Sequence, residues 1–306
     1  MAHEAAASVL NQDVDVELVV LDDYYLVEHT TENLRAIESL KDFLHADKRV
    51  KCVSNEYLLP IQDNWNKAVS LGTGKYIKLM GADDRMLPGS IKMMESIIKS
   101  EPTVEFHGHL AILIDEKGEL IRKQRPYGKG FVGQPITGAA ALKGKLRQQV
   151  RFKEPACNFY LKSAWEKIGG YDTKFRFSAD VHFNSKLMST SKSMLWNEYL
   201  VELRRHQGSD GAQLPAALAL SNLEGFVDEL LLLLGSEVTA QDRAVGKGWV
   251  QYRIIELVAQ RFRQHPTDSL NLLARNFYSF ASNPAASYWM LRMASNRLIH
   301  GDIQQG

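Results

Sequence analysis

The stretch Tyr76-Ile77-Lys78-Leu79-Met80-Gly81-Ala82-Asp83-Asp84 decides the fold. A short, mainly apolar run followed by a polar turn predicts a buried strand over 76–80 that ends in paired aspartates. Working back, residues 61–71 read as a helix and Lys51-Cys52-Val53-Ser54 as a strand. Residues 31–45 carry Leu34, Ile37, Leu40 and Leu44 on one helical face. Before them, Val16-Glu17-Leu18-Val19-Val20-Leu21 is a second apolar run that ends in aspartates, Asp22-Asp23, and residues 2–11 read as a helix. Strands alternating with helices of this length mark βαβ units and a mostly parallel sheet. Ligands of such sheets sit beyond the carboxyl ends of the strands. Both aspartate pairs are therefore expected at one edge.

Working forward, Pro88-Gly89 punctuates the loop before a helix at 90–99. Residues 104–114, the turn Asp115-Glu116-Lys117-Gly118, and Leu120 onward read as a β-hairpin. Residues 126–138 read as a Gly- and Pro-rich loop, and Cys157 to Leu161 as an apolar run with a short helix and Gly169-Gly170 after it. A helix is expected at 178–189 and a strand at 195–203. After Gly211 the pattern turns helical, with spacing near 3.6 in 214–234, 240–264, 267–281 and 285–299. This predicts a domain over 1–211 and a helical extension over 212–306.

The chain has 306 residues, 37 basic and 36 acidic, for a net charge of +1. This balance argues against nucleic acid as a partner. Cys52 and Cys157 both sit in apolar runs, which points to reduced, buried thiols and a cytoplasmic setting. No apolar segment has the length of a membrane span, and the first ten residues lack the pattern of a signal peptide. A Leu-rich stretch at 229–234 fits a packed core better than a membrane contact.

Several residues could carry chemistry. Asp83 and Asp84 could hold a divalent cation that also binds phosphate oxygens, since Mg²⁺ and Mn²⁺ favour one or two carboxylates plus phosphate and water. They could also simply form a turn, with Asp84 capping the next helix. Asp22 and Asp23 could accept the imide N–H of a pyrimidine base, or form an Asx turn. Asp180 could act as a general base, or be a first-turn aspartate favoured by the helix dipole. His206 could ligate a metal or touch a diphosphate, with Arg204 and Arg205 screening phosphate charge; the alternative is a solvated basic loop. His107 and His109 share one strand face, without further ligands to complete a metal site, and a structural role is favoured. Gly72-Thr73-Gly74 lacks the context of a dinucleotide loop, and neither a Walker loop nor a nucleophile elbow is present.

In order along the chain, four segments resemble the family 2 glycosyltransferases of the GT-A fold. Ala7 to Gln12 resembles the helix end "SvlnQ", and Glu17 to Asp23 resembles "iiVvDD". Asn64 to Pro88 resembles "N.a...a.GeYi..ldaDD.l.P", and Ile168 to Asp172 followed by Asp180 resembles "iGgfde.f...eD". The resemblance spans residues 2–210 and leaves the helical tail uncovered. It implies a GT-A-like, mostly parallel, Rossmann-type sheet flanked by helices. Asp22 or Asp23 matches the base-binding aspartate, Asp83 the metal-binding last residue of the DxD motif, and Asp180 the catalytic base of inverting members. His206 matches a histidine that in some members helps bind metal or diphosphate.

Departures accompany the match. Gly81 replaces the first DxD carboxylate, Ala179 replaces the acidic residue before the base, and Tyr24-Tyr25 replace the usual Gly-Ser. The family's opening strand and its "PTYN"-like turn are missing. A truncated chain or a mis-set start is expected, with exposed ladder groups where that strand would lie. The resemblance implies an inverting, metal-dependent transferase using Mn²⁺ or Mg²⁺. A UDP- or dTDP-sugar would be the donor, and a saccharide or lipid-linked saccharide the acceptor. It would work in cell-surface polysaccharide or glycolipid synthesis, in the cytoplasm or against the inner face of the cell membrane as a peripheral protein. The rival readings are a catalytically impaired nucleotide-sugar-binding protein and a nucleotidyltransferase.

Overall fold

The structure, a computed structural model, describes residues 1–22, 41–150, 154–175, 178–206, 216–261 and 266–300. They divide into two compact units, Met1–Ile136 with Phe152–His206, and Thr137–Arg151 with Gln207–Gly306.

In the first unit, helix α1 (Ala2–Leu10) precedes strand β1 (Leu18–Asp22), which pairs in parallel with β2 (Val50–Ser54) from Leu18↔Val50 to Asp22↔Ser54. Asp23 and most of the expected 31–45 helix lie outside the described residues; residues 41–45 are helical. Among the described residues β1 pairs with β2 alone, and its four apolar side chains are only half-buried. Helix α2 (Ile61–Leu71) follows, then β3 (Tyr76–Ile77), β4 (Arg85–Met86) and α3 (Ser90–Ser100). The strand expected over 76–80 keeps ladder pairing only at Tyr76 and Ile77. Beyond them the Lys78 side chain, rather than the backbone, bonds the neighbouring segment, through the Ala156 carbonyl at 2.5 Å.

The long strand β5 (Phe106–Ile114) and β6 (Leu120–Lys123) form the expected hairpin. Strands β7 (Asn158–Leu161) and β8 (Ser193–Arg204), with helices α4 (Lys162–Ile168) and α5 (Ala179–Thr190) between them, complete the unit. The strand order is β3-β7-β5-β8-β4, with β6 on β5. This sheet corrects the mostly parallel expectation. Among the described residues only β5 and β8 pair as parallel strands in it, while β3–β7, β5–β7, β5–β6 and β4–β8 are antiparallel. The βαβ alternation near the start gives the parallel β1–β2 pair. Later connections insert β7 backwards between β3 and β5, so the sheet becomes mixed.

β5 is the sheet's spine, buried at nearly every position because it has neighbours on both sides. The core gathers Met86, Met94, Ile97, Ala111, Cys157, Phe159, Leu200, Val201 and Leu203, with Val9 of α1. Burying each large side chain of this kind contributes about 1.5–3 kcal/mol. No disulfide joins Cys52 and Cys157; Cys157 is buried as expected, whereas Cys52 is only half-buried. At the Gly72-Thr73-Gly74 segment the Glu17 carboxylate accepts from Thr73 N at 2.6 Å and Thr73 Oγ1 at 2.9 Å.

The second unit is helical. Helix α6 (Gly138–Leu146) begins at Thr137, whose Oγ1 accepts the Ala140 N–H at 3.2 Å. It opens right where the 126–138 loop was expected to end. Four longer helices follow at the expected places: α7 (Ala216–Leu234), α8 (Ala240–Arg261), α9 (Pro266–Ser282) and α10 (Pro284–His300). Leu220, Ile254 and Leu257 form their core with Leu272, Leu273 and Phe280. At Gly248 the backbones of α8 and α10 come close: a Cβ there would lie 2.6 Å from the Ala286 carbonyl oxygen. Buried Asp242, near the start of α8, pairs with Arg147 at 2.9 Å and Lys143 at 3.8 Å. Among the described residues no helix is long and apolar enough to cross a membrane.

Candidate functional site

The turn Gly81-Ala82-Asp83-Asp84 links β3 to β4, and the Asp84 N–H reaches the Gly81 carbonyl at 3.4 Å. The end of β8 runs alongside it and delivers Arg204, Arg205 and His206. His206 Nε2 lies 3.2 Å from Asp83 Oδ2, and both side chains stay partly open to solvent, 24% and 35% exposed. Two site residues 123 positions apart are thereby brought together.

That distance is the one a divalent cation would ask of two adjacent ligands. Two neighbouring ligands of an octahedral ion, each about 2.1 Å from it, stand roughly 3 Å apart. The Asp83–His206 pair meets this requirement. Among the described residues no group of three or more His, Cys, Asp or Glu side chains could hold a metal. An ion here would take its remaining ligands from phosphate oxygens and water, as Mg²⁺ and Mn²⁺ do.

Asp84 has a different character. It is 8% exposed, and its Oδ1 accepts the Arg204 N–H at 3.1 Å. Burial first, and the Asp83 carboxylate second, push its pKa up to about 7 against the opposing pull of the Arg204 N–H. Asp84 is thus a buried anchor for the end of β8. Gly81 fits closely beneath both carboxylates. A Cβ there would stand 2.5 Å from Asp83 Oδ1 and 3.1 Å from Asp84 Oδ2, so a side chain at 81 would have to displace them.

Arg204 corrects the reading of that arginine as a phosphate-screening cation. Its guanidinium is buried, and each of its three nitrogens donates a hydrogen bond. Nε donates to the Asp83 carbonyl at 3.0 Å, and Nη1 to the carbonyls of Asp115 and Glu116 at 3.1 and 2.9 Å. Nη2 donates to Glu4 Oε2 at 2.7 Å. One side chain therefore ties the aspartate turn to the hairpin turn and to α1. Arg205 is more exposed and pairs with Glu154. Burial, the largest single influence, would lower its pKa, but Glu154, Asp84 and Cys157 together raise it above the ordinary value.

Beneath the turn lies a buried polar group. The Lys78 ammonium touches the Ala156 carbonyl at 2.5 Å, His109 Nε2 at 2.9 Å and the Asn158 carbonyl at 3.5 Å. Burial lowers its pKa to about 8, partly offset by Cys157 and Asp84. His109 Nδ1 is 3.0 Å from the Leu110 carbonyl, which can only accept. Nδ1 therefore carries the proton and Nε2 accepts from Lys78. His107 stacks on Phe159 at 4.6 Å and accepts from Trp196 Nε1 at 3.3 Å. Burial lowers its pKa to about 4. Both imidazoles are engaged inside the core, in the structural role favoured for them.

The other expected site residues are more dispersed. Asp22 ends β1, and its Oδ2 accepts from Ser54 Oγ at 3.2 Å. It belongs to the two-stranded sheet, and no hydrogen bond joins it to Asp83 or Asp84. Asp23 lies outside the described residues. Asp180 sits in the first turn of α5, where its Oδ1 accepts the Val181 N–H at 2.7 Å. The residues missed from sequence are Lys78, Glu154 and the clamp role of Arg204. Lys78 alone carried a signal, as a charge at an inward position of an apolar strand.

Comparison with known proteins gives a consistent picture. The model of the family described as Glycosyl transferase family 2 matches residues 1–169. An uncharacterised glycosyltransferase of Methanocaldococcus jannaschii is 24% identical over 161 residues, covering 50% of this chain and 56% of that protein. One of Haemophilus influenzae is 28% identical over 127 residues, covering 41% of this chain and 37% of that protein. The chain thus matches about half or less of the length of these curated relatives. Among solved structures, the 1–349 fragment of S. aureus TarS superposes with a TM-score of 0.58 at 11% identity, covering 99% of this chain and 89% of that one. A second TarS structure gives 0.52 at 13% identity, covering 82% of this chain and 40% of that one. At these identities the likeness is one of fold, a GT-A-like one.

Proposed function

Because the chain belongs to glycosyltransferase family 2, we propose that it moves a sugar from a nucleotide-diphosphate donor to an acceptor hydroxyl with inversion. The observation that carries this reading is the 3.2 Å approach of His206 Nε2 to Asp83 Oδ2 at the mouth of the aspartate turn. These two side chains would hold Mn²⁺ or Mg²⁺. When bound, the ion would supply positive charge to the diphosphate leaving group. Asp180 takes the proton of the acceptor hydroxyl as its oxygen attacks the anomeric carbon. Asp22 contacts the base of a UDP- or dTDP-sugar donor. The acceptor is a saccharide or lipid-linked saccharide of a cell-surface polymer or glycolipid.

One observation favours a second reading, a nucleotide-sugar-binding protein impaired in turnover. Gly81 stands where the family has a carboxylate, and the space above it is filled by Asp83 and Asp84. Calorimetric titration with UDP- and dTDP-sugars, with and without Mn²⁺, alongside donor turnover, separates the two. The transferase reading expects Mn²⁺-dependent donor binding that Asp83→Asn abolishes. It also expects turnover that Asp180→Asn removes while donor binding survives. Wild-type turnover in Asp180→Asn would sink the assignment of the base, and binding without turnover in the native protein would favour the second reading.

A further inference from the structure

We infer that Asn158 is a positioning residue that couples the aspartate turn to the helix carrying Asp180. The inference rests on the roles of Asp83 and Asp180 proposed above. Lys78 precedes Gly81 by three residues on the same extended segment, and its ammonium bonds the carbonyls of Ala156 and Asn158 at 2.5 and 3.5 Å. Asn158, the first residue of β7, is 2% exposed. Its Nδ2 donates to Asn184 Oδ1 at 3.1 Å. Asn184 is 1% exposed and stands four residues after Asp180 on α5, so the two share one helix face. A continuous polar path thus runs from the donor turn through Lys78, Asn158 and Asn184 to the turn of helix bearing the base.

Stability alone does not account for this path. Asn158 Oδ1 is buried without a hydrogen-bond partner. An unpaired buried acceptor and a buried ammonium are both less favourable than apolar side chains of similar shape. What directional hydrogen bonds add is a fixed separation and orientation, which apolar packing specifies less tightly. In a displacement reaction the base and the leaving-group site must stand on opposite sides of the anomeric carbon, and a misplacement near 1 Å lowers the rate about 100-fold. The path spans the two groups whose separation matters.

The test uses Asn158→Leu, Asn184→Leu, the double variant and Lys78→Met in the full chain. With acceptor present, kcat is expected to fall about 10- to 100-fold in each single variant. Donor affinity by calorimetry should stay within threefold, and the thermal midpoint should hold or rise. The double variant should lose no more than the worse single one, because both interrupt one path. A kcat within twofold of the native protein overturns the inference, as does a parallel fall in kcat, donor affinity and midpoint, which marks a merely structural role. Should the native protein turn over no donor, the transferase reading fails on its own, and hydrogen exchange judges the coupling. Loss of amide protection at 179–184 in Lys78→Met, with α3 unchanged, supports the coupling, and unchanged protection at 179–184 overturns it.

Discussion

Replacing Arg204 by Met should destabilise the first unit far more than any surface ion pair could. The side chain is 2% exposed, and its guanidinium serves four acceptors: the carbonyls of Asp83, Asp115 and Glu116 and the Glu4 carboxylate. Methionine fills much of the volume but leaves three carbonyls without that donor. A hydrogen bond to a charged group contributes about 1.5–3 kcal/mol, and such contributions do not add when the bonds share one side chain. Because the bonds are charge-assisted and share one buried side chain, the expected loss is about 1.5–3 kcal/mol. Glu4 is 52% exposed, so Glu4→Gln should lose less than about 1 kcal/mol. The contrast isolates the carbonyl contacts from the ion pair. Urea unfolding at pH 7, followed by tryptophan fluorescence, reads both variants; the slope should be preserved while the midpoint moves. A loss below about 1 kcal/mol in Arg204→Met would refute the clamp.

Other outcomes follow from burial and close packing. Lys78 drops from an ordinary pKa of 10.5 to about 8 in the folded protein, so between those values the unfolded chain binds more protons. Its contribution to stability should therefore rise with pH from about 8 to 10.5, by up to roughly 3 kcal/mol, and be flat below pH 8. Parallel pH slopes for the native protein and Lys78→Met above pH 8 would contradict this. In the second unit, Gly248→Ala should lose about 1–2 kcal/mol, because its methyl would meet the Ala286 carbonyl at 2.6 Å despite the better helix propensity of alanine. Gly225 has open space around it, and Gly225→Ala should gain up to about 1 kcal/mol in the same denaturation assay.

Local patterning made some elements legible and left others hidden. The runs at 16–21 and 51–54 foretold β1 and β2, and the 3.6-residue spacing after Gly211 foretold four helices, because each signal lies within one element. The mixed sheet was not legible. Whether β8 lies parallel to β5, and β7 antiparallel to both β5 and β3, depends on partners tens of residues away. β4 has two residues, too few for any alternation to register. Helix α6, Gly-Ala-Ala-Ala-Leu-Lys-Gly-Lys-Leu, presents small side chains and no clear apolar stripe. At the site, the motifs pointed to Asp83 and His206, and the structure brings the two side chains together. The difference in exposure between Asp83 and Asp84 was not legible, since a carboxylate's accessibility cannot be read from an Asp-Asp pair. Arg204 misled for the same reason: beside a second arginine and a histidine it reads as solvated, yet it is enclosed.

The Arg204 clamp also has a consequence for when the site comes into being. Its bonds join residues 4, 83, 115 and 116 to residue 204, contacts separated by 88 to 200 positions along the chain. Contacts of such long range form late, after the loops between them have closed. A ribosome that has exposed Asp83 and Asp84 has made the carboxylates but not the guanidinium that holds their backbone. The turn matures only once the last residues of β8 have emerged, so a chain arrested before residue 204 would carry the motif in its sequence without the geometry that gives it meaning.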